Sequence, residues 1–548
     1  MSLKALRSGL IPCVAVLSGL LGLSACGART GLEAGPPKPP SPECEVDTDC
    51  PTYGDFCNPV KCVPNAPDAG TKPLGGTCED QPKVDCNDND PCTTDTCTPE
   101  TGACIYKIAT LDLDGDGYRG PIPGTIAGQP GSCGDDCDDT NAAAHPGGKE
   151  ICDGVDNDCN GIIDDNATFV PISSEVVVSS SGLQPAAPGG LAWSGKVYAS
   201  LYSGKSSGSR VFMSILNPGG DKVTPPGEQP FTFVNADSFA GPTVWVGDRF
   251  GVIWQDRRHN NNYQTFFSLL GEDGAKKLAD TQISFDEDGL VGAVNPAMAW
   301  NGTEFLVAWQ LAPGGIYNLF GTRVDVGGTP IGMPVALTTT DSGLGNESPS
   351  LAAGKDGVGV AWFVGDALSK TISFQIFSTD LTKPTIPPML LTKGTTNSVY
   401  PTVVWNKDRY IVAWADWSAK PRAIYATAIG PDGTTLVPPT AITHPGAFHS
   451  RWPYLKPLGD RLLLVFSDDR DDQNAGYEIY SRMIDNQLGP IGSEQRITNA
   501  PGDSLHPIAS FGPDGNVGVL FRDDRLGQED VWFTHLACIA GGPPPPNP

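Results

Sequence analysis

Positive charge is scarce in this chain of 548 residues, which has 36 lysines and arginines against 63 aspartates and glutamates. A net charge of −27 leaves no basic surface for a phosphate backbone, so we expect no nucleic-acid partner. Five of the six histidines show no metal-ligand spacing, the sixth being His145 near the acidic residues, and no C-x2-C pair occurs, so the usual zinc signatures are missing. Beyond the N-terminus, no run is apolar enough to span a bilayer.

Acidic residues and cysteines are concentrated in one part of the chain. Residues 43–168 carry 26 acidic and 6 basic side chains, a net of −20, and thirteen of the sixteen cysteines lie in the range from Cys44 to Cys159. Clustered cysteines indicate disulfides and an oxidising compartment, and concentrated carboxylates indicate bound cations. The 66 glycines and 51 prolines indicate a turn-rich, mainly β protein.

The N-terminus has the pattern of an export signal. Lys4 and Arg7 precede an apolar run of about 16 residues that contains Pro12 and ends in L-S-A-C at Cys26. This resembles a bacterial lipoprotein signal peptide, which implies cleavage before Cys26 and lipidation of that residue. Several acyl chains would anchor the chain stably, and the resemblance implies the outer membrane, with the protein exposed at the surface. An ordinary secretory signal or an uncleaved anchor is the alternative.

Two short cysteine-rich segments follow a Pro-rich spacer. Cys44, Cys50, Cys57 and Cys62 form one, and residues 78–104 form the other. The second, DCNDNDPCTTDTCTPETGAC, resembles a Cys-rich repeat of slime-mould and deltaproteobacterial surface proteins. If residues 44–62, 86–104 and 133–159 each close their own bridges, Cys78 and Cys538 remain, and a bridge between those two is then the expectation.

Residues 111–165 repeat a calcium-loop spacing. D-x-D-x-D-G and D-x-D-x-N-G are the first half of an EF-hand-type loop, in which alternate oxygens face one cation and glycine permits the turn. The two loops comprise Asp112, Asp114, Asp116 and Gly117, and Asp156, Asp158, Asn160 and Gly161. Position 12, where an EF-hand has glutamate, is Pro123 or Ala167, so other segments must complete the coordination.

The order of these residues resembles the metal-binding motif of MopE-type surface proteins, with Asn160 where aspartate is usual. We expect two calcium ions that share ligands across the module, because hard oxygens favour calcium over copper or zinc. The remaining candidate ligands are Tyr118, Asp136, Asp138, Asp139, Glu150, Asp164 and Asp165. Bridges Cys152–Cys159 and Cys133–Cys137 are expected to hold the loops. The alternatives are a solvated acidic linker and, from the resemblance, copper capture.

From about residue 169 an aromatic residue recurs at steps of 52 to 55 residues. These anchors are Tyr202, Trp254, Trp309, Trp362, Trp414, Phe466 and Phe521. Four short strands per period predict a β-propeller with seven blades. The last blade lacks a fourth strand, and SEVVVSSSG before the first anchor supplies a spare one. We therefore predict that this N-terminal strand closes the ring.

Aspartates and arginines follow several anchors in the predicted loops between second and third strands. They are Asp256, Arg258, Asp416, Asp468, Arg470, Asp523 and Arg525. The arginines could clamp a carboxylated ligand, or the pairs could cap their own hairpins. The repeat domain is similar to sialidase-type propellers only in outline, because it has no series of Asp-box motifs.

These features predict a non-enzymatic surface lipoprotein in which a calcium-stabilised, disulfide-rich stalk presents a propeller to an extracellular protein or glycan. A hydrolase or lyase of extracellular polysaccharide, acting through the Asp/Arg loops, is the alternative. The predicted segments are a signal peptide (1–25), a lipidated spacer (26–43), a Cys-rich unit (44–66), a linker (67–77), a Cys-rich repeat (78–106), the acidic module (107–168), the propeller (169–540) and a Pro-rich tail (541–548).

Overall fold

The computed structural model divides the chain into two compact units, Met1–Ile108 and Ala109–Pro548. It describes residues 43–65, 75–150, 155–161, 168–179, 186–205, 208–223, 229–232, 237–259, 262–284, 292–339, 343–366, 369–392, 397–418, 422–443, 449–459, 461–471 and 476–539. Within these ranges, no helix is long and apolar enough to cross a membrane. The predicted signal peptide, Cys26 and the C-terminal tail lie outside them.

The first unit contains a small sheet and a hairpin. Its elements are β1 (Glu43–Cys44), a 3-10 turn (Asp47–Asp49), β2 (Val60–Pro64), β3 (Gly76–Asp80), β4 (Thr93–Cys97) and β5 (Cys104–Ile108). The sheet has the order β1-β3-β2, and β4 pairs with β5. So few residues bury little apolar surface, and disulfides supply the missing stability.

The disulfides of this unit correct the expectation that each Cys-rich segment closes its own bridges. They are Cys44–Cys62, Cys50–Cys78, Cys57–Cys97 and Cys86–Cys104, and Cys92 is also bonded. A bridge between Cys78 and Cys538 is therefore wrong. The reason is the sheet: β3 is its central strand, and it places Cys78 within 5.7 Å of Cys50, measured between Cα atoms.

The repeat domain is the predicted seven-bladed propeller, with blades of antiparallel strands in the order 1-2-3-4. Blades one to three comprise β8 (Ala187–Trp193), β9 (Tyr198–Lys205), β10 (Ser209–Leu216) and β11 (Gln229–Pro230); β12 (Ser238–Trp245), β13 (Phe250–His259), β14 (Asn262–Leu270) and β15 (Thr281–Gln282); and β16 (Val294–Trp300), β17 (Glu304–Leu311), β18 (Asn318–Asp325) and β19 (Pro330–Ala336). A 3-10 turn, Pro313–Gly315, precedes β18.

Blades four to six comprise β20 (Gly345–Ala353), β21 (Val358–Gly365), β22 (Lys370–Phe377) and β23 (Met389–Leu390); β24 (Ser398–Asn406), β25 (Arg409–Asp416), β26 (Ala423–Ile429) and β27 (Thr435–Ala441); and β28 (Arg451–Leu458), β29 (Arg461–Asp468), β30 (Glu478–Asp485) and β31 (Pro490–Arg496). Blade seven has β32 (Ser504–Phe511), a 3-10 turn (Pro513–Gly515), β33 (Val517–Asp523) and β34 (Asp530–Ile539).

The aromatic anchors form the core between blades. All seven lie on the second strand of their blade and are at most 2% exposed. Trp254, for example, packs edge-on against Phe231 and is stacked with Phe266. One large buried ring per blade contributes about 1.5–3 kcal/mol by burial, which explains why the period is visible in the sequence.

The ring closes through the N-terminal strand, as predicted. Two segments, β6 (Thr168–Pro171) and β7 (Val176–Val177), both pair with β34 and so complete blade seven. The predicted strand SEVVVSSSG contains β7, whereas β6 precedes it and was not predicted. This pairing covers the edge of β34 and gives blade seven the fourth strand that the other blades have.

Candidate functional site

The first acidic loop turns around the carboxylate of Asp112. Asp112 accepts hydrogen bonds from the backbone N–H groups of Gly115 (2.7 Å) and Gly117 (3.1 Å). Gly117 adopts a φ of 100°, a conformation that side chains rarely tolerate. Carboxylate oxygens of Asp112, Asp114 and Asp116 consequently lie within 4.8 Å of one another, which is the spacing of ligands around one cation.

The second loop repeats this geometry. Asp156 accepts hydrogen bonds from Asn160 N–H (3.1 Å) and Gly161 N–H (2.8 Å), and Gly161 has a φ of 91°. Asn160 donates its amide to Asp158 at 3.0 Å. The same pattern of alternate oxygens and a left-handed glycine produces the same turn twice.

Segment 136–139 lies against the first loop. Asp139 accepts a hydrogen bond from Leu113 N–H (3.0 Å), and Asp136 N–H donates to the carbonyl of Arg119 (3.1 Å). Asp136 is fully buried, and its Oδ2 has no hydrogen-bond partner among the described residues. Desolvation, together with the nearby charges of Asp116, Asp114 and Asp139, raises the pKa of Asp136.

Glu150 lies beside the second loop, and its carboxylate joins the oxygens of that loop. It accepts a hydrogen bond from Asp158 N–H (2.8 Å) through Oε1, and oxygens of Glu150, Asp156 and Asp158 lie within 4.8 Å of one another. Its side chain is buried, and no described residue bonds to Oε2. Burial, with the charges of Asp158 and Asp156, raises the pKa of Glu150. A buried anionic oxygen without a donor is costly unless a cation neutralises it.

The remaining predicted ligands have different positions. Tyr118 donates its N–H to Asp116, and its ring stacks on His145 at 4.8 Å. Asp138 accepts hydrogen bonds from the N–H and hydroxyl of Thr140. Asp164 and Asp165 lie outside the described residues.

A bridge between Cys137 and Cys159 joins segment 136–139 to the second loop, with Cα atoms 5.5 Å apart. The expected bridges Cys152–Cys159 and Cys133–Cys137 are therefore wrong. The turn at Cys159, which has a φ of 58°, brings its sulfur to the backbone of Cys137. Cys137 N–H donates a hydrogen bond to that sulfur at 3.1 Å. Cys133 is bonded as well, and Cys152 lies outside the described residues.

The donor chemistry fits a hard cation. Both clusters offer carboxylate oxygens, the ligands that calcium prefers. Cys137 and Cys159 lie beside Asp136 but are bonded to each other, so they offer no thiolate to a soft metal. His145, the nearest imidazole, belongs to neither cluster. Copper(I) would lack its soft ligands among the described residues.

A family model for the MopE-type metal-binding motif, named for copper binding, matches residues 136–165. The chain carries a MopE-type motif. The matched residues include Asp136, Glu150 and the second loop, whereas the first loop precedes them. Because the match covers 30 of 548 residues, it identifies a motif and not the family of the whole chain.

Comparison with curated proteins found no match. Among solved structures, a protein of unknown function from Dyadobacter fermentans is 12% identical, with a TM-score of 0.42 over 68% of this chain and 99% of that one. An endo-arabinase from Bacteroides thetaiotaomicron is 13% identical, with a TM-score of 0.31 over 52% and 88%. The propeller domain of a Pyrococcus furiosus protease is 10% identical, with a TM-score of 0.39 over 64% and 95%.

The Asp/Arg loops are internally paired. Arg258 bonds to both oxygens of Asp256 and reaches Asp280 at 2.8 Å. In the equivalent arrangement, Arg470 pairs with Asp468 and Glu494, and Arg525 pairs with Asp523 and Glu175. Asp416 instead accepts from Ser398 and Ser418. Each guanidinium thus connects its loop to the outer edge of its own blade, as the hairpin-capping interpretation requires.

The first strands of the seven blades line a central channel of about 1110 Å³. Its described lining is mainly proline, small apolar and aromatic residues, with Lys456 and His506 as the titratable basic groups. Lys456 keeps part of its surface open to the channel yet is surrounded by protein, and this desolvation lowers its pKa. No carboxylate occurs among the described lining residues, so the paired acids that glycoside hydrolysis uses have no counterpart there.

Proposed function

We propose that this chain is a surface lipoprotein in which two calcium ions stabilise the acidic module and the propeller binds an extracellular protein or glycan. Asp112, Asp114, Asp116, Asp136 and Asp139 would hold one ion. Glu150, Asp156, Asp158 and Asn160 would hold the other. Calcium would neutralise these carboxylates and so link the loops; no reaction is assigned to it.

One observation carries the proposal: Asp136 and Glu150 are both buried, each has a carboxylate oxygen without a hydrogen-bond donor among the described residues, and each lies close to the charges of an acidic loop. Ionised carboxylates in such surroundings repel one another, so folding of the module should depend on the cation. The oxygen-only donor set supports calcium over copper.

The lipid anchor rests on the L-S-A-C sequence that ends at Cys26. Acylation there would tether the chain to a membrane. We propose that this is the outer membrane of a Gram-negative cell. Labelling with a radioactive fatty acid tests this: incorporation is expected in the full chain and should disappear in Cys26→Ala. Labelling that persists would contradict the anchor.

A binding role for the propeller is supported by its channel, which is lined by aromatic groups and has no described carboxylate. The Asp/Arg loops that suggested hydrolysis are occupied by their own ion pairs. For the alternative hydrolase, the described lining of the channel supplies no carboxylate, and the arginines of the loops are already paired.

Calorimetric titration of the EDTA-treated protein tests the metal role. We expect saturation near two calcium ions and a higher unfolding temperature in calcium than in EDTA, because a ligand that binds only the folded state stabilises it. Equal unfolding temperatures in calcium and EDTA would overturn the proposal.

A further inference from the structure

One mouth of the central channel is formed by a bulge that recurs at the start of the inner strands. In blades two to seven the register with the second strand skips two residues, of which the second is proline. The residues before these prolines are Gly241, Asn295, Ser348, Tyr400, Trp452 and His506, and all line the channel. Bulges of this kind re-aim side chains.

Five of these residues have a strained backbone. Asn295, Ser348, Tyr400, Trp452 and His506 have φ between 49° and 55°, although each precedes proline. Left-handed backbone costs a bulky residue of order 1–3 kcal/mol, and such strain is typical of functional sites. The same strain recurs at equivalent positions in five blades, which is the first indication of a binding site at this mouth of the channel.

The chemistry of this mouth is asymmetric. Blades five to seven contribute an aromatic arc, in which the rings of Tyr400 and Trp452 are 5.7 Å apart and those of Trp452 and His506 are 4.2 Å apart. Blade two contributes Gly241, which has no side chain. Tyr400 is 37% exposed, so the arc is accessible. Burial and the charge of Arg522 lower the pKa of His506 to about 4, which keeps the imidazole neutral and able to pack against a ring.

Two arginines beside the arc lack carboxylate partners among the described residues. Arg451 lies over the rings of Trp417, Trp452 and Tyr477 at 4.7–5.6 Å, and Arg422 lies over Trp417 at 5.3 Å. The Nε atoms of both are enclosed without an acceptor. By contrast, ten arginines of the described propeller form ion pairs: Arg249, Arg257, Arg258, Arg323, Arg409, Arg470, Arg482, Arg496, Arg522 and Arg525.

Asp469 and Asp503, whose charges act on Tyr477 together with those of the two arginines, already accept other hydrogen bonds. Asp469 accepts from the N–H and the ring of His449, each at 2.6 Å, and Asp503 accepts from Tyr477 N–H at 2.8 Å. Two guanidinium groups without a carboxylate partner in the described part of the chain are unusual at a net charge of −27. Guanidinium groups bind carboxylates bidentately, so this position is suited to an anionic ligand.

We propose that the mouth binds a polysaccharide made of carboxylated sugar rings. The flat C–H face of a pyranose would pack on Tyr400 and Trp452, and its carboxylate would bond to Arg451 and Arg422. This inference rests on the proposed binding role of the propeller and names the class of ligand. It differs from the sequence prediction, which assigned the carboxylate clamp to arginines that the fold pairs internally.

Binding is measured with oligosaccharides of polygalacturonate, alginate, hyaluronate and heparosan, each beside its carboxyl-reduced neutral form. At least one acidic oligosaccharide should bind more tightly than its reduced form, and its affinity should fall with added salt. Arg451→Ala should weaken that binding about 10- to 100-fold, the range of a lost hydrogen bond to a charged group. Arg451→Lys, which keeps the charge, should recover part of the loss.

Tyr400→Ala removes an exposed part of the arc and should weaken binding with little effect on folding. Arg249→Ala, which removes a surface ion pair with Asp248, is the matched control and should bind normally. Equal affinity for acidic and reduced forms, or no binding to any of the four, would overturn the acidic-sugar proposal. Calcium-dependent stability would survive such a result, so the two proposals fail separately.

Discussion

Replacing Asp136 by asparagine should have opposite effects in the absence and presence of calcium. The substitution Asp136→Asn keeps the size of the side chain but removes a buried charge beside Asp114, Asp116 and Asp139. Because burial and these neighbours raise the pKa of Asp136, its ionised form destabilises the metal-free module at neutral pH. The variant should therefore be the more stable protein in EDTA and the less stable one in calcium.

The magnitude follows from linkage. At a calcium concentration 100 times the dissociation constant, one site stabilises the folded module by about 2.7 kcal/mol. If the loss of one charged ligand weakens the site about 10- to 100-fold, the same concentration contributes about 1.4 to 0.4 kcal/mol. Calcium should thus slow local opening about 100-fold in the natural protein and about 2- to 10-fold in the variant.

Hydrogen exchange measured by mass spectrometry reports this opening directly for peptides within residues 110–150. Asp135→Asn is the matched control, since Asp135 is exposed and belongs to neither cluster. That variant should respond to calcium as the natural protein does. An equal calcium response in both variants, or a less stable Asp136→Asn protein in EDTA, would refute the reasoning.

Two further predictions concern the propeller. Arg525→Ala leaves the carboxylates of Asp523 and Glu175 without their partner, so it should lower the free energy of unfolding by about 3–5 kcal/mol in urea titrations, whereas Arg249→Ala, at an exposed pair, should cost at most about 1 kcal/mol. An equal loss would contradict this account of the closing blade. Because the pKa of His506 is about 4 in the folded chain, only the unfolded chain takes up its proton as pH falls from about 6.5 to 4. Stability should therefore fall through this window, and less so in His506→Gln; parallel curves would exclude the mechanism.

The blade repeat, the ring closure and the acidic turns could be predicted from the sequence, because each depends on local residue patterns. Each blade needs one large buried ring on its second strand, so Trp254 and its counterparts recur at a visible period. Counting four strands for each anchor also shows that the last blade lacks a fourth strand and that an extra strand precedes the first blade. Likewise, alternate carboxylates followed by glycine predict the acidic turns, because Asp112 and Gly117 interact within six residues of chain.

Tertiary structure alone decided which distant groups meet. Cys137 could have paired with Cys133 by proximity in sequence, yet the fold brings it to Cys159. The repeated Asp/Arg pattern drew attention to Arg470, which the outer strand of its blade neutralises with Glu494, while Arg451 is without a carboxylate partner among the described residues. Spacing along a chain determines turns and periods, because these depend on neighbouring residues. Burial and charge pairing depend on residues far apart in sequence, and the packed blades determine which of those come together.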